Sequence, residues 1–154
     1  MDKYVGLDLG TTTLGISSSD ILGIVHPKEN FVFEKGNYKK ALEHISSFLK
    51  EGNYVNVVIG LPLQIDRQEG ERCASVRRFA SDLKNICENI NIFFCDESYS
   101  TIEARERLKD CGYKEDKIKK VIDMYSAVVI LEDFIRSKEN GTKRKWNHNL
   151  WWRW

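Results

Sequence analysis

Two short apolar segments at the start of the chain, separated by a very short turn, constrain its fold most strongly. Residues 4–8 and 14–18 have the composition of β-strands, and the four residues 10–13 between them are few enough to join the strands as an antiparallel hairpin. A third strand is predicted at 23–33, with a break near Pro27. The chain is therefore expected to begin as a three-stranded antiparallel meander.

Helices and strands alternate in the rest of the chain. Apolar residues at helical spacing predict helices at 37–50, 71–90 and 114–137, and nearly continuous apolar runs predict strands at 55–59 and 92–95. A meander followed by strand–helix–strand units indicates an α/β protein. Its expected core is a five-stranded mixed sheet with helices on both faces.

A further short helix is predicted after the last of these strands. Ser100 and Glu103 have the spacing of a capping box, in which the two side chains satisfy free backbone amides at a helix start. The helix is expected to stop at Gly112, because glycine is common directly after the last helical turn.

Length and composition limit the class of protein. With 154 residues, 42% of them hydrophobic, the chain can form one domain with its own core. No apolar run approaches the roughly 20 residues that span a bilayer, and no signal peptide is recognisable, so a cytoplasmic protein without membrane contact is expected. The four cysteines lack a Cys-x-x-Cys pair and the three histidines are isolated. Reduced thiols are therefore expected, and a zinc site is not.

The C-terminal segment 138–154 differs in composition from the rest. It contains five basic residues against one acidic residue, together with all four tryptophans, whereas the whole chain has a net charge of +1. A basic segment with aromatic residues could bind nucleic acid through phosphate contacts and stacking. We predict instead a disordered extension after a single domain at 1–137, because every motif that carries chemistry lies before residue 132.

Three acidic residues lie at the edges of apolar segments. Asp8 and Glu97 stand at the ends of predicted strands, which is where ligands bind in α/β sheets. Asp123 belongs to the apolar stripe of the last predicted helix, where a salt bridge to Lys119 or Lys120 is the alternative explanation. Buried carboxylates need a proton or a cation, and three together favour a hard divalent metal ion. The sequence therefore suggests a metal-dependent phosphodiester site.

The motif GLDLGTT at residues 6–12 fits two kinds of phosphate chemistry. Its glycine lets the backbone approach a phosphate, and its hydroxyl and amide groups can donate to phosphate oxygens. The motif resembles the first phosphate loop of the actin, sugar-kinase and chaperone ATPases, which use two copies of a ribonuclease-H-like domain. This chain has room for one copy and contains no recognisable second phosphate loop, which disfavours an ATPase.

Four motifs occur in the order found in one family. They are GLDLGT with LGISSSD (6–20), VIGLPL (58–63), DESYSTIEAR (96–105) and IDMYSAVVIL (122–131). Together they resemble the YqgF (RuvX) family, the bacterial Holliday-junction-resolvase-like proteins assigned as nucleases of pre-16S ribosomal RNA. The resemblance covers residues 3–137. It implies a single ribonuclease-H-like domain and a cytoplasmic nuclease of ribosome biogenesis, with Asp8, Glu97 and Asp123 as its catalytic and metal-binding carboxylates.

The chain departs from the family pattern at three places. The family usually has an arginine where this chain has Ser98, often a basic residue where it has Thr12, and a Gly-Thr pair where it has Arg67 and Gln68. These replacements remove cations that would clamp a phosphate, a loss that Arg67 could partly compensate. Two alternatives to the ribosomal RNA nuclease therefore stay open: a Holliday-junction resolvase, and a catalytically weak nucleic-acid-binding module of a larger assembly.

The resemblance also implies a mechanism, hydrolysis of a phosphodiester with two metal ions. Asp8 would bridge two Mg²⁺ or Mn²⁺ ions, while Glu97 and Asp123 would each complete the ligands of one ion. The expected partner is nucleic acid, with an RNA precursor ahead of branched DNA, and association with ribosomal or pre-ribosomal particles is a further expectation.

Substrate contacts are expected from hydroxyl and basic side chains around the carboxylates. The predicted substrate-binding residues are Thr11, Thr12, Arg67, Ser100 and Thr101. Further arginines that would flank the cleft and hold the nucleic-acid backbone are Arg72, Arg77 and Arg78. For Arg77 and Arg78, a solvated helix face is the favoured alternative.

Overall fold

The strands form a single mixed sheet with helices on both faces. The computed structural model describes residues 2–64, 66, 68–97 and 99–139, and the backbone of 151–153. Its elements are β1 (Tyr4–Leu9), β2 (Thr13–Ser19), β3 (Val25–Val32), α1 (Tyr38–Gly52), β4 (Asn56–Leu61), α2 (Glu71–Ile86), β5 (Asn91–Asp96), α3 (Ser100–Asp110), α4 (Glu115–Glu139) and β6 (Trp151–Arg153).

The order across the sheet is β3-β2-β1-β4-β5-β6. Strands β1, β4 and β5 are mutually parallel, and the other neighbours are antiparallel. The predicted α/β fold and five-stranded mixed sheet are confirmed, and β6 adds one short edge strand.

Strand β4 shows why the sheet has a core on each face. Val57, Ile59 and Leu61 pack in the core formed with α1 and α2, whereas Val58 packs in the core formed with α4. Successive residues of a strand point to opposite faces. A nearly continuous apolar run is therefore what a strand needs when helices cover both of its faces.

Helix α4 lies very close to the sheet because two glycines of β1 and β2 carry no side chain there. A methyl group on Gly15 would lie 2.0 Å from the carbonyl oxygen of Asp123, and one on Gly6 would lie 2.8 Å from that of Ala127. The Ser17 hydroxyl donates a hydrogen bond of 2.8 Å to the same Ala127 carbonyl. These contacts set the height of α4 above the sheet, and with it the position of Asp123.

Helix α2 ends earlier than predicted. It stops at Ile86, four residues before the expected end at 90, and the amide of Cys87 closes the last turn on the carbonyl of Leu83 at 2.8 Å. Ile90, which continues the helical spacing, is 3% exposed and packs in the core where the chain enters β5. The apolar pattern extends past the helix because the turn back into the sheet also buries an apolar residue.

The capping box predicted at the start of α3 is wrong. Tyr99 is the N-cap residue, and its side chain makes no capping hydrogen bond. The Ser100 hydroxyl donates instead to the carbonyl of Glu97 at 2.9 Å, and the Glu103 carboxylate pairs with Arg107 at 2.9 Å. The tight turn between β5 and α3 draws Ser100 back toward the strand, and this tertiary contact overrides the local sequence signal.

Part of the C-terminal segment returns to the sheet. Residues Trp151–Arg153 form β6, which runs antiparallel to β5 opposite residues 93–95. The structure thus differs from the expected disordered extension at these three residues, while 140–150 and 154 lie outside the described residues. Helix α4 continues to Glu139, two residues past the predicted domain end at 137, and that boundary stays a prediction.

Candidate active site

Three carboxylates meet at the edge of the sheet where the parallel strands end. Asp8 on β1, Glu97 directly after β5 and Asp123 on α4 line one cavity of 320 Å³. The remaining lining residues are Leu9, Gly10, Pro62, Leu63, Arg72 and Thr101. Asp8 is 7% exposed and is the most enclosed of the three carboxylates, in a site that opens to solvent. The structure therefore brings together the three acidic residues that the sequence singled out.

Glu97 reaches Asp8 across an intervening strand because that strand carries a glycine. Strand β4 lies between β1 and β5, so the backbones of the two residues start roughly 10 Å apart at the usual strand spacing. A methyl group on Gly60 of β4 would lie 2.9 Å from Glu97 Oε2. The bare backbone leaves room for the Glu97 side chain, which hydrogen-bonds to Asp8. This function of Gly60 was not predicted, because the strand was expected to end at residue 59, whereas β4 continues to Leu61.

Asp123 is held by the hairpin that joins β1 and β2. Its Oδ2 atom accepts a hydrogen bond from the Thr13 hydroxyl, and the Gly10 amide donates to the Thr13 carbonyl at 2.7 Å. Among the salt bridges of the described residues, none joins Asp123 to Lys119 or Lys120. The alternative of an ion pair within the helix is therefore not supported. The role of Thr13 was not predicted from the sequence, because its partner Asp123 lies 110 residues further along the chain.

The pKa values of the two enclosed carboxyls show how strongly the site resists negative charge. Burial raises the pKa of Asp8 well above its usual range, and the charge of Glu97, a hydrogen bond with Glu97 and the charge of Asp123 raise it further. Burial also raises the pKa of Glu97, while its hydrogen bond with Asp8 and the charge of Arg72 act in the opposite direction. The two carboxyls are thus hydrogen-bonded to each other, and the enclosed site favours their neutral forms.

These shifts predict that the metal-free protein becomes less stable as the pH rises. A carboxyl whose pKa is higher in the folded state stabilises the fold at low pH, and this contribution is lost as the pH rises through the folded pKa. Thermal melts in EDTA, from about pH 4 to neutral pH, should show a melting temperature that falls relative to Asp8→Asn, which has no proton to lose. If the melting temperatures of the two proteins changed with pH in parallel, the raised pKa of Asp8 would be contradicted.

Arg72 is the basic residue of α2 that reaches the cavity. Its guanidinium donates a hydrogen bond of 2.8 Å to the carbonyl of Leu9, and its charge lowers the pKa of both enclosed carboxyls. Arg77 is instead bound to Glu69 by two hydrogen bonds of 2.7 Å, and Arg78 is exposed. Of the three candidate arginines, Arg72 is the one that lines the cavity.

The predicted substrate-binding residues take different positions. Thr11 and Thr12 are exposed in the hairpin turn, and Thr101 lines the cavity. Ser100 is 4% exposed, and its hydroxyl is bound to the carbonyl of Glu97, so it supports that residue rather than facing the cavity. The remaining predicted contact, Arg67, lies outside the described residues.

The donor set of the cavity suits a hard divalent cation. Its ionisable ligands are carboxylates, without cysteine or histidine, and such oxygen ligands favour Mg²⁺ or Mn²⁺. Within the described part of the chain, no three acidic, histidine or cysteine side chains already stand as a set that could hold one ion. Asp8 and Glu97 are hydrogen-bonded to each other, and the Asp123 carboxylate accepts a hydrogen bond from the Thr13 hydroxyl. The three carboxylates share one cavity but are not yet arranged around a common point. The residues fit a cation whose binding would replace the hydrogen bond between Asp8 and Glu97.

The strand order and the position of the carboxylates define a ribonuclease-H-like domain. Two solved structures of RuvC from Thermus thermophilus, one of them in complex with a Holliday junction substrate, share this fold. The complex matches with a TM-score of 0.58 and 12% identity, over 92% of this chain and 98% of that chain. The second structure has a TM-score of 0.57 and 11% identity, over 90% of this chain and 96% of that one. At this level of identity the likeness concerns the fold alone.

The chain belongs to the RuvX family, as its motifs indicated. The family model, described as "RuvX: Holliday junction resolvase", matches residues 2–137. A relative from Lachnospira eligens is 33% identical over 139 residues, 89% of this chain and 99% of the relative, and one from Fusobacterium nucleatum is 33% identical over 142 residues, 90% and 100% of the two chains. A relative from Ureaplasma parvum is 36% identical over 140 residues, 86% of this chain and 95% of the relative. All three are named "Putative pre-16S rRNA nuclease".

Proposed function

We propose that this chain is a metal-dependent nuclease that hydrolyses phosphodiester bonds in the 5′-end processing of pre-16S ribosomal RNA. The observation that carries the proposal is the convergence of Asp8, Glu97 and Asp123 in one cavity. Enclosing like charges costs folding stability, and a divalent cation would offset that cost. Membership of the RuvX family and the names of the relatives support the choice of ribosomal RNA as substrate.

Each residue of the site has a proposed task. When bound, two Mg²⁺ or Mn²⁺ ions would lower the pKa of a water molecule and neutralise charge on the phosphate. Asp8, which is influenced by both other carboxylates, is assigned to both ions, and Glu97 and Asp123 are assigned to one each. The Thr13 hydroxyl keeps the Asp123 carboxylate directed into the cavity. The donors of Arg72 that the Leu9 carbonyl does not use are assigned to a phosphate oxygen.

The sugar–phosphate backbone is assigned to the rim of the cavity. Thr101 lines the cavity, and Thr11 and Thr12 present exposed hydroxyls in the neighbouring hairpin turn. A cytoplasmic location and association with pre-ribosomal particles belong to the proposal, because they follow from the proposed substrate. In the part of the chain that the structure describes, no helix has the length and apolar character of a membrane span.

Cleavage assays test the choice of substrate. A labelled RNA carrying the 5′ leader of pre-16S ribosomal RNA, and a four-way DNA junction, are incubated with the untagged protein in Mn²⁺ and in EDTA. We expect cleavage of the RNA in Mn²⁺ and none in EDTA. Cleavage of the junction alone would favour a Holliday-junction resolvase, the activity named in the description of the family model. Tight binding without cleavage of either substrate would favour the nucleic-acid-binding module.

A further inference from the structure

Tyr99 is an exposed aromatic residue in the turn between β5 and α3, next in the chain to residues that line the cavity. It lies two residues after Glu97 and two residues before Thr101, both of which line the cavity. The side chain is 74% exposed, the highest value among the large aromatic residues that the structure describes. Among the described residues, no aromatic ring stacks on Tyr99 and no cation lies over it. The exposed ring can therefore be reached by a ligand from solvent.

The backbone holds Tyr99 at this position. The Glu103 amide donates to the Tyr99 carbonyl at 3.0 Å, and the Ser100 amide donates to the Glu97 carbonyl at 3.1 Å. Ile102, three residues further along, is 57% exposed and extends the apolar surface at the start of α3. Because a tyrosine has only two side-chain torsions, Tyr99 on this ordered backbone would lose little conformational freedom on binding, which favours its use as a contact surface.

We propose that Tyr99 stacks on an unpaired nucleobase next to the phosphate held in the cavity, so that the substrate of this site is single-stranded nucleic acid. The inference rests on the proposed function. A base inside a duplex already has stacked neighbours on both faces, whereas an unpaired base can be turned out onto an aromatic side chain. The ring accepts any base, because every base has a flat π-face, and it therefore selects for strandedness rather than sequence.

Binding in EDTA tests the stacking without cleavage. The probes are a short single-stranded RNA with one 2-aminopurine, whose fluorescence falls on stacking, and the fully paired duplex of the same sequence. Tyr99→Ala should weaken binding of the single strand by about 5- to 140-fold, which corresponds to the roughly 1–3 kcal/mol of one stacked base. The same variant should abolish the fluorescence change and leave duplex binding unaltered. Tyr99→Phe is the matched control, because it keeps the ring and should bind as the wild type does.

The outcomes separate this inference from the proposed function. Equal loss of single-stranded and duplex binding in Tyr99→Ala, or no loss of either, would overturn the stacking contact even if the wild type cuts RNA. A wild type that cuts neither RNA nor junctions but shows Tyr99-dependent binding would overturn the nuclease and retain the stacking contact. A wild type that binds no nucleic acid would overturn both. Melting curves check the fold of the variants, which should match the wild type because the side chain is exposed.

Discussion

Replacing Asp8 by Asn should abolish Mn²⁺-dependent cleavage while making the metal-free protein more stable at neutral pH. The substitution preserves the shape of the side chain and removes a charge that is enclosed beside Glu97 and Asp123. Metal-assisted stabilisation of a phosphodiester transition state is worth several kcal/mol, so the expected loss of rate is on the order of 10³-fold or more. The gain in melting temperature should grow as the pH rises, because the wild-type carboxyl is then forced to ionise.

The matched control for this substitution is Asp82→Asn. Asp82 is an exposed residue of α2 that does not line the cavity, so the same chemical change should leave both cleavage and melting temperature close to those of the wild type. Cleavage at the wild-type rate by purified Asp8→Asn, with contaminating nuclease excluded, would refute the assignment of Asp8. An equal loss of stability in both variants would show that the enclosed charge is not the source of the effect.

The acidic residues of the site could be predicted because each depends on a pattern that is local in sequence. Asp8 and Glu97 follow apolar runs, and the carboxyl ends of parallel strands meet at one edge of a sheet. Asp123 follows from a helical stripe in which a carboxylate is out of place. To predict these three residues, it is enough to know the type of each element and the edge of the sheet at which it ends. Small errors in the bounds of the elements do not change the prediction.

The supporting contacts could not be predicted, because they depend on how distant elements pack. Thr13 meets Asp123 only when α4 lies against β2, and Gly60 matters only because β4 lies between the strands that carry Asp8 and Glu97. The sequence shows a threonine in a turn and a glycine after an apolar run. It does not show that the side chains of Asp123 and Glu97 will pack against them.

Two local signals also gave way to tertiary structure. The spacing of Ser100 and Glu103 is that of a capping box, yet the turn after β5 binds the Ser100 hydroxyl to the carbonyl of Glu97. Residues 151–153 lie in a basic, tryptophan-rich segment without strand alternation, yet they pair with β5, whose edge would otherwise be open. In both cases a backbone group of a neighbouring element supplied an interaction that the local sequence does not specify.

Gly15→Ala should both destabilise the protein and disable the site, although Gly15 is not itself expected to touch a substrate or a metal ion. The added methyl group would lie 2.0 Å from the carbonyl oxygen and 2.2 Å from the carbonyl carbon of Asp123. Backbone atoms cannot move aside as a flexible side chain can, so α4 must shift away from β2. Overpacking of this kind costs roughly 1–3 kcal/mol, or about 2–12 °C in melting temperature for a domain of this size. The shift also separates the Asp123 carboxylate from Thr13 and from the other carboxylates, and cleavage should fall well below that of the wild type even at temperatures where the variant is fully folded.

The control is Gly70→Ala, in which the atom nearest to the new methyl group is the amide nitrogen at the end of the exposed Gln64 side chain, 2.4 Å away. This variant should retain its cleavage activity, with at most a small loss of stability at the start of α2. Circular dichroism establishes the folded fraction at the assay temperature, so that loss of activity is not mistaken for unfolding. A Gly15→Ala protein with the wild-type melting temperature and the wild-type rate would show that α4 does not lie this close to β2. Reduced stability with full activity would show instead that Asp123 contributes to the site without depending on the height of its helix.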